Sequence, residues 1–310
     1  MAHDTIVEQH PDAAALPSAP TSLVGRVSDY LELCKPRLNL LVVITTAVGF
    51  YMGAGPNVVW MLLLHVIIGT ALTAAGASAL NQLIERRHDG LMPRTRTRPL
   101  PAGRVQPIEA LILGVTLGLG GVAYLSTFVN PLTAGLGALT MLSYLFVYTP
   151  SKRMTTLNTV IGAIPGAIPP MMGVTAAQDA ITPAAIVLFA ILFVWQMPHF
   201  LAIAVLYHED YSAGGFKMLP SRDPAFRTTR SMIVQYGLAL IPVSLLPCAI
   251  TLCGPIYCIA AVILGLGFLA FGIRCARHCG RSEARALFFA SIIYLPLLLT
   301  ALMLDKLPGT

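Results

Sequence analysis

The run VVWMLLLHVIIGTALTAAGASALNQLI at 58–84, continued directly by ERRHDGLMPRTRTRPLPAGR at 85–104, decides the fold. A membrane-spanning helix needs about 20 mostly apolar residues, and the first part exceeds that with His65 as its one ionisable side chain. The second part turns abruptly to charge, with acids at 85 and 89 and arginines at 86, 87, 94, 96, 98 and 104. A span that ends in so dense a charged loop is a helix leaving the bilayer into water.

Comparable apolar runs recur near 38–54, 108–127, 131–148, 157–175, 183–206, 232–252, 255–274 and 285–304. Together they predict an all-α, polytopic membrane protein of about nine transmembrane helices around a central cavity. Composition agrees: 56% of the 310 residues are hydrophobic and 11% are charged, against about 25% charged in soluble domains. No length remains for a sizeable soluble domain. Gly162, Pro165, Gly166, Pro169, Pro170 and Pro198 fall inside the runs; neighbouring helices can satisfy the carbonyls they free, so kinks and cavities are expected. The polar, acidic, Pro/Ala-rich start MAHDTIVEQHPDAAALPSAPTS lacks the basic segment and apolar core of a signal peptide. It reads as part of a disordered cytoplasmic tail over 1–28, ahead of a transmembrane domain over 29–305.

Charge fixes the expected orientation. The connections after helices one, three, five and seven carry no Lys or Arg, and of the 20 basic residues only Lys306 falls on their side. The positive-inside rule then places the N-terminus and the even-numbered loops in the cytoplasm, and nine spans place the C-terminus outside. The net charge of +6 is explained by basic inner loops; no nucleic-acid-binding motif accompanies it. An internal echo completes the outline. Helix two ends in Asn81, Glu85, Asp89 and Met92, and helix six in Glu209, Asp210, Tyr211 and Met218-Leu219-Pro220. The pattern predicts two related four-helix groups plus a final helix.

Asn81, Glu85 and Asp89 are spaced four apart, so on a helix they stack along one face with about 40° of drift per step. Three oxygen-bearing side chains on one face suit a hard cation such as Mg²⁺, which uses few carboxylates and completes its shell with water and phosphate. Arg94, Arg96 and Arg98 could clamp phosphate oxygens. The alternative is that these arginines are topology signals or lipid contacts, with the acids as their partners. In the second segment, YHEDYSAGGFKMLPSR at 207–222, Asp210 is a candidate metal ligand beside Glu209, and Lys217 and Arg222 could neutralise a leaving group. Lys152-Arg153 and Lys35-Pro36-Arg37 supply further cations that read singly as interfacial anchors and together as a diphosphate mouth. His199, well inside the apolar run at 183–206, is a functional candidate because it is ionisable within the membrane; a helix-to-helix hydrogen bond is the other reading. His65 carries the same two readings with less support. The cysteines at 34, 248, 253, 258, 275 and 279 include no CxxC pair, and Cys275 and Cys279 read as packing at a helix end rather than as a metal site.

These residues carry a family resemblance that runs collinearly over roughly 30–305. The chain resembles the intramembrane prenyltransferase superfamily related to 4-hydroxybenzoate polyprenyltransferase, and within it the protohaem IX farnesyltransferases or haem O synthases. The most specific parts are Lys35-Pro36-Arg37, the run from Asn81 through Glu85, Asp89, Met92, Arg94 and Arg98 to Pro99-Leu100, YTPSKRMTTLNTVIGAIPGAIPPMMG at 148–173, and WQMPHF leading to EDYSAGGFKMLP. The wider superfamily often has Asp where this chain has Glu85, and a DxxxD pattern where this chain puts Gly214 four residues after Asp210. These departures look like the haem branch. The resemblance implies Mg²⁺-dependent transfer of a farnesyl group from farnesyl diphosphate to a vinyl group of haem B, with addition of water, giving haem O and diphosphate for haem-copper oxidase assembly. It implies the inner membrane as location, a cytoplasmic active-site mouth, and a downstream haem-processing or oxidase-assembly partner. Asn81, Glu85, Asp89 and Asp210 are expected to hold metal and serve catalysis, and Lys35, Arg37, Arg94, Arg98, Lys152, Arg153 and Lys217 to hold diphosphate. His199 would bind haem through its iron or a propionate. Transfer to a quinone or other aromatic acceptor is the alternative within the same chemistry, and a secondary transporter is the alternative from another class.

Overall fold

The structure, a computed structural model, describes residues 22–307. Residues 1–21 of the expected tail lie outside the described residues. The expected extent of the tail to 28 is corrected: helix α1, Leu23–Cys34, already occupies the chain from 23 on. Ser22 caps it, its side chain accepting from Gly25 N at 3.1 Å. Arg104 ties α1 down from the charged loop, reaching Asp29 at 2.8 Å and Glu32 at 3.0 Å. The chain then turns through Lys35, which sits in the left-handed region at φ 47°.

Among the described residues, nine helical spans are long and apolar enough to cross a bilayer. They are α2 (Pro36–Gly53), α3 (Trp60–Asp89), α4 (Pro107–Phe128), a fourth span Pro131–Met154, α7 (Asn158–Gln178), α8 (Pro183–Leu206), α10 (Arg227–Ala249), α11 (Pro255–His278) and α12 (Arg281–Leu304). The fourth span comprises α5 (Pro131–Leu142), a π-helical turn (Ser143–Tyr148) and α6 (Thr149–Met154). A short helix, α9 (His208–Ala213), follows α8. In each half, successive spans pack on one another, and α12 packs against α8 and α11.

Three boundaries differ from the sequence reading for identifiable reasons. The second span continues to Asp89; its 30 residues make about 45 Å of helix, longer than a hydrocarbon core of about 30 Å, so the acidic turns project beyond it. The fourth span runs on past 148 because the π turn widens the helix just where Pro150 would otherwise collide with the preceding turn. The seventh starts at Arg227 because Asp223 Oδ2 accepts from Thr229 N and Oγ1 at 2.7 and 2.8 Å, steadying the polar first turn.

The halves meet where α2 lies on α7, and there backbone touches backbone. A Cβ on Gly173 would stand 2.0 Å from the carbonyl oxygen of Thr46, and one on Gly49 would stand 2.1 Å from that of Pro170. In lipid, where burial of apolar surface does not drive helices together, such close approach is what packs them. At the end of the bundle away from the charged loops, Lys306 donates to the carbonyl oxygens of Tyr51 and Ala54, capping α2. The one basic residue of that side thus answers the negative end of a helix. A disulfide joins Cys248 to Cys258 at the same end, with Cys253 as a buried thiol. The sequence reading contained no disulfide there, since five- and ten-residue spacings give no motif. Cys275 and Cys279 are buried packing residues, as expected.

Gly173→Ala therefore forces the α2–α7 seam apart and is expected to destabilise the fold by about 2 kcal/mol or more. Thermal unfolding of the detergent-solubilised protein measures it; an unchanged midpoint would contradict the seam.

Candidate active site

Beside the seam, between α2, α3, α7 and α8, lies a cavity of about 370 Å³ with a charged mouth and an apolar depth. Lys35, Asn81, Glu85, Asp89, Arg94, Arg98 and Lys152 line the mouth. Met92, Phe216, Met218, Pro165, Pro169, Trp195, Gln196, His199 and Phe200 line the wall and depth. Glycines on α7 make the space: a Cβ on Gly162 would meet the Tyr148 ring at 2.4 Å, and one on Gly166 would meet Gln196 Oε1 at 2.1 Å.

The helical spacing of Asn81, Glu85 and Asp89 does bring all three to one wall, and all are buried. Each has a cationic partner from another element. Lys152 Nζ donates to both Glu85 carboxylate oxygens at 2.8 and 3.2 Å. Arg98 Nη1 donates to Asp89 Oδ2 at 2.8 Å. Lys35 Nζ donates to Asn81 Oδ1 at 3.0 Å, while Asn81 Nδ2 donates to Thr149 Oγ1 at 3.0 Å. Burial and the neighbouring Arg98 push the Lys35 ammonium down to about 7, against the pull of Glu85. A buried ammonium so placed gains from any anion that arrives beside it.

Other sequence candidates fall around this core rather than in it. Arg94 lines the mouth with its guanidinium 4.8 Å from the Tyr207 ring centroid and 5.8 Å from that of Tyr211. Arg153 is exposed and donates to His88 Nε2 at 3.0 Å. Arg37 is exposed outside the cavity lining. Asp210 and Lys217 also lie outside the lining, which takes Tyr211, Phe216 and Met218 from the second segment instead. That segment is stitched by its backbone to both halves: Lys217 N donates to the Lys152 carbonyl at 2.6 Å, and Asn158 Nδ2, at the start of α7, donates to the Lys217 carbonyl at 2.9 Å. His65 makes a helix-to-helix contact, its Nδ1 lying 2.8 Å from the Tyr124 hydroxyl and its ring stacking on Phe128.

The sequence reading missed Tyr144 and Tyr148. The π turn brings both to the cavity wall, and Lys152 Nζ lies 4.6 Å from the Tyr148 ring centroid. The signal for Tyr148 was its four-residue step to Lys152, which puts ring and ammonium on one helical face. Deeper, His199 Nδ1 lies 2.7 Å from Ser291 Oγ, and its ring stacks with Trp195 and Phe288.

An unpaired buried charge is costly, so Lys152→Met, which strands the Glu85 carboxylate, is expected to destabilise the protein by about 3 kcal/mol. Adding Glu85→Gln should recover most of that loss in thermal unfolding. Equal midpoints for the single variant and the parent would show the pair to be energetically idle.

Relatives and solved structures carry the same outline. Residues 42–293 match the model of the UbiA prenyltransferase family. The protohaem IX farnesyltransferase of Solibacter usitatus is 47% identical over 91% of this chain and 99% of its own length. That of Myxococcus xanthus is 42% identical over 93% of this chain and 97% of its own. In three dimensions the chain is similar to digeranylgeranylglyceryl phosphate synthase, with a TM-score of 0.74 at 17% identity over 90% of this chain and 98% of that one. It is also similar to a UbiA homologue of Archaeoglobus fulgidus bound to GPP and Mg²⁺, with a TM-score of 0.60 at 17% identity over 88% and 99% of the two chains. Sequence match, nine-span fold and a cavity with one charged mouth agree: the chain belongs to the UbiA prenyltransferase family.

Proposed function

We propose that this chain transfers the farnesyl group of farnesyl diphosphate to a vinyl group of haem B, with addition of water, to give haem O and diphosphate. The observation that carries the chemistry is the cavity itself, where buried acids and cations at the mouth meet an apolar depth. The acceptor is supported by the protohaem IX farnesyltransferases that match across nine-tenths of the chain.

Asn81, Glu85 and Asp89 fit a Mg²⁺ ion by donor chemistry, since all three offer hard oxygen to the same wall. Mg²⁺ held there would offset charge on the diphosphate as the allylic C–O bond breaks. Lys35, Arg94, Arg98 and Lys152 receive the diphosphate oxygens. Lys152 and Arg98 must first leave Glu85 and Asp89, so substrate arrival is an exchange of partners that keeps each buried charge paired. The allylic cation is handled where water is excluded, against the Tyr144 and Tyr148 rings and the Gly/Pro wall of α7. His199, farther in, takes the haem. Diphosphate stays at the mouth while the prenyl chain and the porphyrin, both lipid-soluble, occupy the depth.

The charged mouth faces the cytoplasm in this reading. Two independent features support that side: the basic loops, and a disulfide at the opposite end, which belongs in an oxidising compartment. The membrane is then the inner one, and the haem product passes to a haem-processing or oxidase-assembly partner.

Purified protein given farnesyl diphosphate, Mg²⁺ and either haem B or 4-hydroxybenzoate tests the reading by product mass. Haem O and diphosphate are expected from haem B, with loss of about 100-fold or more in Asp89→Asn and in chelator. Product from the aromatic acceptor alone would overturn the haem assignment. Absence of diphosphate release with every acceptor would favour a carrier.

A further inference from the structure

The mouth accounts for most ionisable groups of the cavity, but His199 stands apart from it. Its contacts form a closed set. Nδ1 lies 2.7 Å from Ser291 Oγ. Ser291 Oγ in turn lies 2.6 Å from the carbonyl oxygen of Phe288, one turn earlier on α12. The carbonyl oxygen of Ser291 accepts from Trp195 Nε1 at 3.0 Å. Ser291 is fully buried, so no bulk water competes for these groups.

A serine hydroxyl has one proton, and a carbonyl oxygen has none. If that proton pointed at His199, the hydroxyl and Phe288 oxygens would face each other at 2.6 Å with nothing between them, which is repulsive. The proton therefore lies on the line to Phe288, and Ser291 Oγ accepts from His199. That requires hydrogen on Nδ1. A neutral imidazole protonated at Nδ1 has a lone pair on Nε2, and Nε2 has no hydrogen-bond partner among the described residues. Stacking with Trp195 at 5.0 Å and Phe288 at 5.2 Å between ring centroids holds the ring orientation.

We infer that Ser291 is a positioning residue that locks His199 as the Nδ1–H tautomer and so presents a lone pair, not an N–H, to the cavity. The inference rests on the reading of His199 as the haem site and narrows it. A haem propionate would need a donor at Nε2, whereas haem iron needs a lone pair. Ser291 thus makes the iron the part of haem that His199 takes. It does so from the ninth span, giving α12 a share in the acceptor site although no motif marks it. Trp195 and His199 of α8 are both held by one residue, Ser291, through its carbonyl and its hydroxyl.

Two measurements on the full chain test this. ¹⁵N NMR of histidine-labelled protein without haem reads the tautomer directly, with His199→Ala identifying the resonances. The parent is expected to show protonated Nδ1 and bare Nε2, and Ser291→Ala to lose that bias. Titration with ferric haem B, followed by absorbance and EPR, reads the consequence. Ser291→Ala should weaken haem binding about tenfold, as losing the hydrogen bond behind a metal-binding histidine commonly does. The same substitution added to His199→Ala should change nothing further. Protonated Nε2 in the parent, or an equal loss from Ser291→Ala with and without His199, would overturn the inference. If His199→Ala keeps the parent haem spectrum, the haem reading of His199 itself is overturned, whatever the tautomer.

Discussion

Buried carboxylates must be paired, and the rest of the site follows from how this protein pairs them. Glu85 and Asp89 sit on α3 within reach of the cavity, yet their partners come from elsewhere: Lys152 from α6 and Arg98 from the loop after α3. Removing two charges from water is repaid only when each stays in contact with an opposite charge. The pairs therefore fasten α3 to its surroundings while no substrate is bound. In the proposed function they would also prepare the mouth for a magnesium diphosphate, which would bring positive charge for the acids and negative charge for the cations. Partner exchange would then replace one set of ion pairs by another with little net unpaired charge, so that the mouth could stay buried and still admit a highly charged ligand.

The apolar depth depends on a different constraint, the near contact of α2 and α7. Gly49 and Gly173 let the two backbones touch, which fixes the seam firmly enough for α7 to carry three internal prolines. Farther along α7, Gly162 and Gly166 face the Tyr148 and Gln196 side chains rather than another backbone. The same helix is thus sealed at one level and open at another. That alternation lets a wide hydrophobic chamber exist in a bundle whose helices would otherwise close on themselves.

The spans were legible because a period of about 20 apolar residues is imposed by the bilayer, and the basic loops because topology requires them. Asn81, Glu85 and Asp89 were legible because four-residue spacing translates directly into one helical face. Asp210, Lys217 and Arg37 show where that kind of reading stops. Composition made them candidates, but only the path of the chain through Gly214 and Gly215 and the exposed start of α2 decides which side chains reach the cavity. Tyr144 was hidden because its placement relies on the π turn, and Ser291 because its contact with His199 joins residues 92 apart in the chain. The helix over 23–34 was missed because a helix of 12 residues leaves no twenty-residue signature.

A structure of the protein with Mg²⁺ and a non-reactive farnesyl thiodiphosphate tests partner exchange most directly. Partner exchange predicts that Lys152 Nζ and the Arg98 guanidinium move from Glu85 and Asp89 to the phosphate oxygens, with metal density on Asn81, Glu85 and Asp89. Lys152 still on Glu85 and Arg98 still on Asp89, with the diphosphate bound elsewhere, would contradict it.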